Sequence, residues 1–284
     1  GMRRVLEPSE LEGAFNAASS EAQAAFSNGE MYVERLALKP RHVEIQVMGD
    51  SHGNVVHLYE RECSVQRRHQ KLVEESASPA LDEKTRAEIC EAGVRAASVL
   101  DYQGAGTVEF LFDQEGRFYF MEMNARIQVE HPVTELVTGR DLVKEQILVA
   151  SGEKLSFRQE DVKFEGHAIE CRVNAEDPAR NFAPCPGTVT NLHLPGGPGV
   201  RVDTHLFAGA SIPPYYDSLV AKLLTHGRDR TEAIQRMRRA LSEFSLEGVQ
   251  TTVPLLSEIM VDPVFLSGKY DTSFLERRES LATA

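Results

Sequence analysis

The sequence predicts an α+β fold dominated by antiparallel strands, and three observations carry that prediction. Apolar residues alternate with polar ones at Val43, Ile45 and Val47 against Glu44 and Gln46, the period of a half-buried strand. The run GTVEFLFDQEGRFYFMEMN (106–124) reads as two β-rich segments joined by Asp113-Gln114-Glu115-Gly116, a hairpin signal. Helical spacing appears elsewhere, as at Ile89, Ala92, Ala96 and Val99.

Element by element, residues 8–27 form an alanine-rich helix with Ser9 as N-cap and Glu12 three positions on. Two extended runs follow, Met31–Leu36 and His42–Met48, then a strand at Asn54–Glu60 after the turn at Asp50–Gly53. A helix is expected over Leu81–Leu100, the hairpin next, and helical pattern again over Pro132–Ser151. Strands are expected at Gly166–Asn174, Gly187–Leu194 and Ser218–His226, and helices at Arg230–Phe244 and Val253–Met260. The polar stretch at 152–165 suggests a boundary, giving units 1–150 and 151–284, the second richer in Pro and Gly. No internal repeat or low-complexity tract is present.

A length of 284 residues suits one large domain or two modest ones. A net charge of −12 with 42% hydrophobic residues describes a globular chain and argues against nucleic acid as partner. No run of 18 apolar residues exists, which excludes a membrane-spanning helix, and GMRRVLEPSE lacks the apolar core of a secretory signal. Cys63, Cys90, Cys171 and Cys185 show no CxxC spacing and read as reduced thiols of a cytoplasmic protein.

The hairpin carries the first chemistry. An even-length loop gives cross-strand partners an odd index sum, so Glu109, Glu122 and Asn124 share one face. Val108, Phe110, Phe112, Tyr119, Met121 and Met123 take the other. Two carboxylates and an amide suit a hard cation shared with phosphates, although a solvated sheet face, where Glu is common, is the plainer reading of the hairpin alone. Directly after the strand, Arg126 offers a fixed fork for a small oxyanion and Glu130 a proton acceptor; a surface ion pair between them explains the same residues. In Glu60–Lys71 the basic residues Arg67, Arg68, His69 and Lys71 form a cationic cluster in an acidic chain, fit for phosphate or bicarbonate with Gln66 as a further donor, or else a basic solvated loop, as charge runs usually are. Cys63 there reads as packing. Arg172 on a strand either faces a cleft or belongs to a buried ion pair. The GGPG at 196–199 is a turn, since the lysine and strand–helix context of phosphate-binding loops are missing.

Taken together, KPRHVEIQV (39–47), ERECSVQRRHQKLVEE (60–75), GAGTVEFLF (104–112), FMEMNARIQVEHPVTELVTGRDLVKEQ (120–146), GHAIECRVNAEDP (166–178) and PPYYDSLVAKL (213–223) resemble biotin carboxylase. That is the ATP-grasp component of biotin-dependent acyl-CoA and pyruvate carboxylases, among them enzymes of fatty acid biosynthesis. The strings occur in family order along nearly the whole chain.

The resemblance implies the C-terminal part of an ATP-grasp fold over 1–150, with a lid remnant at 1–35, joined to the biotin carboxylase C-terminal domain. It puts Glu34 and Leu36 at an adenine hinge and His42, Gln66 and His69 around ATP. Glu109, Glu122 and Asn124 would hold Mg²⁺ or Mn²⁺. Lys71, Arg126, Gln128 and the Val129 backbone would take bicarbonate. Glu130 would be the base that deprotonates it, and Arg172 would stabilise the ureido oxygen of biotin. Implied partners are a biotin carboxyl carrier protein or domain, a carboxyltransferase component and a second copy of the chain. In a eukaryote the implied compartment is the mitochondrial matrix or a plastid. Arg35 stands where the family hinge usually carries Lys. Gly1-Met2 aligns with the end of the family's Gly-rich loop, so weak ATP binding and poor turnover are expected of these 284 residues alone. Another ATP-grasp ligase, such as a carbamoyl-phosphate synthase, or a non-catalytic dimerisation or carrier-binding module are the competing expectations.

Overall fold

The computed structural model describes residues 2–282, with side chains to residue 278, so Gly1 of the aligned Gly-rich loop lies outside the described residues. Two compact units result, Gly1–Leu38 and Lys39–Ala284. In the first, α1 (Leu11–Phe26) follows a 3₁₀ turn at Pro8–Glu10. Ser9 is therefore not the N-cap: it lies inside that turn, where Glu7 and Glu10 form a reciprocal box. Ser27, left-handed at φ 58°, ends the helix. Residues 31–36, expected as a strand, are described and carry no sheet partner; their exposed side chains give the alternation no face to bury.

The second unit is organised by one eight-stranded sheet. Its strands are β1 (Arg41–Gly49), β2 (Val55–Arg67), β3 (Gln70–Ser76), β4 (Gly104–Phe112), β5 (Phe118–Asn124), β6 (His167–Asn174), β7 (Val200–Thr204) and β8 (Leu219–Gly227). The spatial order is β7-β8-β6-β3-β2-β1-β4-β5, and every pairing is antiparallel. The α+β, mainly antiparallel expectation therefore holds, and the sheet runs unbroken from strands before residue 150 to strands after it. The Gly187–Leu194 segment splits into short strands at Gly187–Thr188 and Asn191–His193 outside this sheet.

One face is covered by α2 (Glu83–Val99), whose Ile89, Cys90 and Ala97 pack on Val43, Ile45, Val47, Val108 and Phe110. Farther along the same face α5 (Arg230–Glu243) packs Ala233, Met237 and Leu241 against Val73, Ile169, Cys171 and Leu223. Asp82 and Asp229 cap these helices through their side chains. The opposite face carries α3 (His131–Thr138) and α4 (Leu142–Ala150), separated by Gly139 at φ 65°. With both faces covered, β1 is buried over nearly its whole length rather than half-buried. Its polar set, Glu44 and Gln46, is interior.

Two bulges decide which side chains reach which face. The hairpin turn is odd, with Gly116 left-handed (φ 79°) and Asp113 paired to Arg117. A second irregularity between Glu109 and Phe110 restores the expected parity only beyond it. Glu109 thus faces Glu122 as expected, whereas Phe118 rather than Tyr119 packs on the apolar side, 5.6 Å from Phe110, and Met121 is exposed. On β3 the register slips between Val65↔Val73 and Gln66↔Lys71. That lets Lys71 and Glu74, three residues apart, both turn toward the α3 side.

Candidate active site

The polar site lies on the α3 face of the sheet, and Lys71 is its hub. Its Nζ is 2.5 Å from Glu44, 2.5 Å from Glu130 and 3.3 Å from Glu109. Glu130 sits at the N-terminus of α3, where a negative charge is favoured, and its second oxygen accepts from Arg172 Nη2 at 2.9 Å. Arg172 Nε in turn donates to Glu74 at 2.5 Å. Of the two readings of Arg172, the buried ion pair is the one present here.

Beneath this layer Arg61, fully buried, donates to Glu44 and Gln46 at 2.6 Å and to Thr107, Gln128 and Thr134 at 3.1 Å. Every oxygen it touches is thereby locked in orientation. Glu109 lies 2.7 Å from His42 Nε2 and accepts from Gln128 at 2.7 Å and Asn124 at 3.0 Å. The Asn124 amide also reaches Glu122 at 3.3 Å, so one nitrogen ties the two carboxylates together. Burial opposes the ionisation of Glu109, but His42, Lys71 and Gln128 outweigh it and hold the acid at about 2. At Glu44 burial is likewise outweighed, by Lys71 and Arg61, giving about 2. At Glu74 burial prevails over Arg172, with Glu130 adding to it, and the acid rises to about 7. Burial also pushes the Cys63 thiol well up, as packing rather than nucleophilic use predicts.

Not every expected grouping forms. Arg126 does not pair with Glu130; exposed, it donates to Asn124 Oδ1 at 3.1 Å and to the Ile127 carbonyl. The cationic cluster divides across the β2–β3 hairpin. Lys71 and its cross-strand partner Gln66 sit inward, His69 is exposed at the tip, and Arg67 and Arg68 reach Asn181. Arg68 and His69 are both left-handed, at φ 48° and 66°, the two-residue turn closing the hairpin. The Val129 carbonyl accepts from Lys222 at 3.0 Å. Glu34 and Leu36 belong to the first unit, on its irregular exposed stretch.

Sequence reasoning missed Glu44, Arg61, Glu74 and Lys222. The signal existed for Glu44: a charged residue on the polar side of a strand whose other neighbours, Arg61 and Glu109, are also charged. Ligand atoms of His42, Glu44 and Glu109 lie within 4.8 Å of one another, as do those of Glu44, Cys63 and Glu130. The Lys71 ammonium bonds to Glu44, Glu109 and Glu130, and Glu109 also accepts from Gln128 and Asn124, whereas Glu122 accepts only from Asn124 among the bonds described.

Comparison with known proteins bears on this arrangement. The family profile for the carbamoyl-phosphate synthase L chain ATP-binding domain matches residues 1–158, and that for the biotin carboxylase C-terminal domain matches 170–277. The chain belongs to the biotin carboxylase family. Among its relatives, biotin carboxylase 1 of Bacillus subtilis is 56% identical over 277 residues and the biotin carboxylase of Nostoc sp. 54% over 276. Each alignment covers 97% of this chain but only 62% of the relative. A solved structure, the biotin carboxylase domain dimer of Hydrogenobacter thermophilus 2-oxoglutarate carboxylase with MgADP, ADP and bicarbonate, superposes with a TM-score of 0.91 at 48% identity. It covers 96% of this chain and 60% of that one. No helix of the chain is long and apolar enough to cross a membrane.

Proposed function

We propose that this chain supplies the acid–base and carboxyl-transfer half of an ATP- and bicarbonate-dependent biotin carboxylase. The observation that carries the reading is Glu130 clasped between Lys71 at 2.5 Å and Arg172 at 2.9 Å. A carboxylate held between two cations is oriented to accept a proton in a pocket that also attracts an anion. Bicarbonate entering beside Lys71, Arg126, Gln128 and the Val129 backbone meets that base. Glu130 takes its proton as the bicarbonate oxygen attacks the γ-phosphate, ADP leaves, and the resulting carboxyphosphate breaks down to CO₂ and phosphate. Arg172, held by Glu74 on one edge, then faces the ureido oxygen of biotin and offsets the charge that develops there as the phosphate takes the N1 proton and N1 bonds to CO₂.

Glu109, Glu122 and Asn124 would hold Mg²⁺ or Mn²⁺, which when bound neutralises phosphate charge. The chain's own contribution is a fixed set of oxygens, with Glu109 ionised and oriented by His42 and Gln128. His42, Gln66 and His69, with Glu34 and Leu36, would take the nucleotide. The division at 150/151 belongs to the same reading, as do a carrier domain bearing biotin, a carboxyltransferase component, a second copy of the chain and a cytoplasmic or organellar setting.

The test replaces the 277 matched residues of the Bacillus subtilis enzyme by this chain's. The chimaera should cleave ATP in response to bicarbonate and faster with free biotin. A folded chimaera that binds MgADP yet shows no bicarbonate dependence rejects the reading.

A further inference from the structure

On β6, Glu170 is fully buried and neither of its carboxylate oxygens has a hydrogen-bond partner. Strand register fixes its neighbours: Glu74 opposite on β3, Leu224 opposite on β8 and Arg172 two residues along its own strand. Leu224 and Ala168 pack with Val133 and Val137 of α3, so apolar groups close that side. The charged groups facing it are Glu74 from β3, Lys222 from β8, Arg172 from β6 and Glu130 from the start of α3. Both cations are turned elsewhere, Arg172 to Glu74 and Glu130, Lys222 to the Val129 carbonyl and Asp203.

A carboxylate deprived of water and of donors takes a proton rather than carry its charge. Its partner position makes the same demand. Glu74 is ion-paired to Arg172 at 2.5 Å, and two carboxylates at paired strand positions do not readily both ionise. An ionised Glu170 would add a negative charge beside Arg172, which already bonds to Glu74 and Glu130.

We propose that Glu170 is kept as the neutral acid, and that its neutrality preserves the positive potential with which Arg172 and Lys222 meet an anionic ligand. It is a positioning residue that acts through charge. Burial, then Glu74, push its ionisation well above the usual carboxylate range, with Lys222 and Arg172 opposing. As pH rises into that range the site gains negative charge and its hold on anions weakens.

The proton itself is tested first, on the chain labelled with ¹³C at glutamate carboxyls. At about pH 8 one protonated carboxyl signal should persist and be missing from Glu170→Gln. Because the folded-state value is raised, wild-type stability falls as pH climbs above the unfolded value of about 4.5. Glu170→Gln lacks that loss, so its melting temperature should gain on wild type between about pH 5 and pH 8. Absence of the protonated signal, or a gap that does not change with pH, overturns the proposal. Glu170→Leu, matched to its apolar surroundings, serves the same comparison if the glutamine variant misfolds. The functional consequence rests on the carboxylase reading. Bicarbonate affinity of wild type relative to Glu170→Gln should drop several-fold toward alkaline pH, the ligand's own titration cancelling in the ratio. A constant ratio overturns the charge role, whereas failure of both proteins to bind bicarbonate counts against the carboxylase reading while the carbon signal still decides Glu170.

Discussion

Glu74 and Glu75 are consecutive, both fully buried, and face opposite sides of the same sheet with opposite outcomes. Glu75, on the α5 side, accepts from His167 at 2.7 Å, from two nitrogens of Arg230 at 2.7 and 3.0 Å, and from the Tyr270 hydroxyl. Burial opposes its ionisation, yet the His167 hydrogen bond and Arg230 prevail and hold it at about 2. Glu74 has one donor group, Arg172, and its second oxygen has none. There burial wins and the acid sits at about 7. The difference separates scaffold from site. Saturated donors make Glu75 a staple joining β3, β6, α5 and the segment around Tyr270. An under-satisfied acid is costly to fold around, and the costs gather where charge must respond to a ligand.

The largest expected contrast crosses two variants. Glu130→Gln keeps size and hydrogen bonding but removes the base, so bicarbonate-dependent turnover of the chimaera should fall about 10²–10⁴-fold with little change in melting. Glu75→Gln should do the reverse: it leaves Arg230 and His167 buried without their charge partner and should lower unfolding free energy by about 3–5 kcal/mol in urea titrations. Comparable losses of stability in both would erase the division between scaffold and site. A smaller effect follows from pH. Glu75 has a folded value of about 2, below its unfolded value, so its contribution is present above roughly pH 4.5 and is lost as pH falls toward 2. That shift amounts to about 3 kcal/mol, and Glu75→Gln should flatten the acid limb of a stability-versus-pH curve accordingly. For Glu74 the sign is opposite, its cost growing as pH rises from about 4.5 to 7.

The same pair shows what could be read without coordinates. Local alternation and apolar runs assigned six strands of the sheet but left β3 and β7 unread, and the expected parity put Glu109 opposite Glu122 only because the bulge between Glu109 and Phe110 offsets the odd turn. The slip between Gln66↔Lys71 and Val65↔Val73 is not local: simple alternation sends Lys71 and Glu74 to opposite faces, and only the bulge unites them. Glu44 read as a solvent-facing strand residue because nothing in a half-apolar pattern reveals that α3 covers the polar side. Motif resemblance named Lys71, Glu130 and Arg172 in separate roles, and it is the structure that bonds them to one another. Arg61 and Glu170 escaped both routes, one because it supports the site from below, the other because its significance lies in partners it lacks.

The finest contrast concerns Arg172 and Glu130, which are bonded at 2.9 Å. Were they independent, Arg172→Gln would spare biotin-independent ATP cleavage entirely, since its charge is aimed at the ureido oxygen. The bond couples them: removing the guanidinium also frees one oxygen of Glu130 and leaves Glu74 without its donor. Lys71 still holds the other oxygen at 2.5 Å, so the base keeps most of its orientation. Biotin-independent cleavage should therefore drop only a few-fold, while the stimulation by biotin drops about tenfold or more, as loss of one preorganised charge at a developing anion requires. Measuring ADP release with and without biotin in chimaeras carrying Arg172→Gln or Glu130→Gln gives the two ratios. Glu130→Gln should lower both activities together, Arg172→Gln chiefly the biotin-dependent one; equal proportions in both variants would mean that the clasp acts as a single unit.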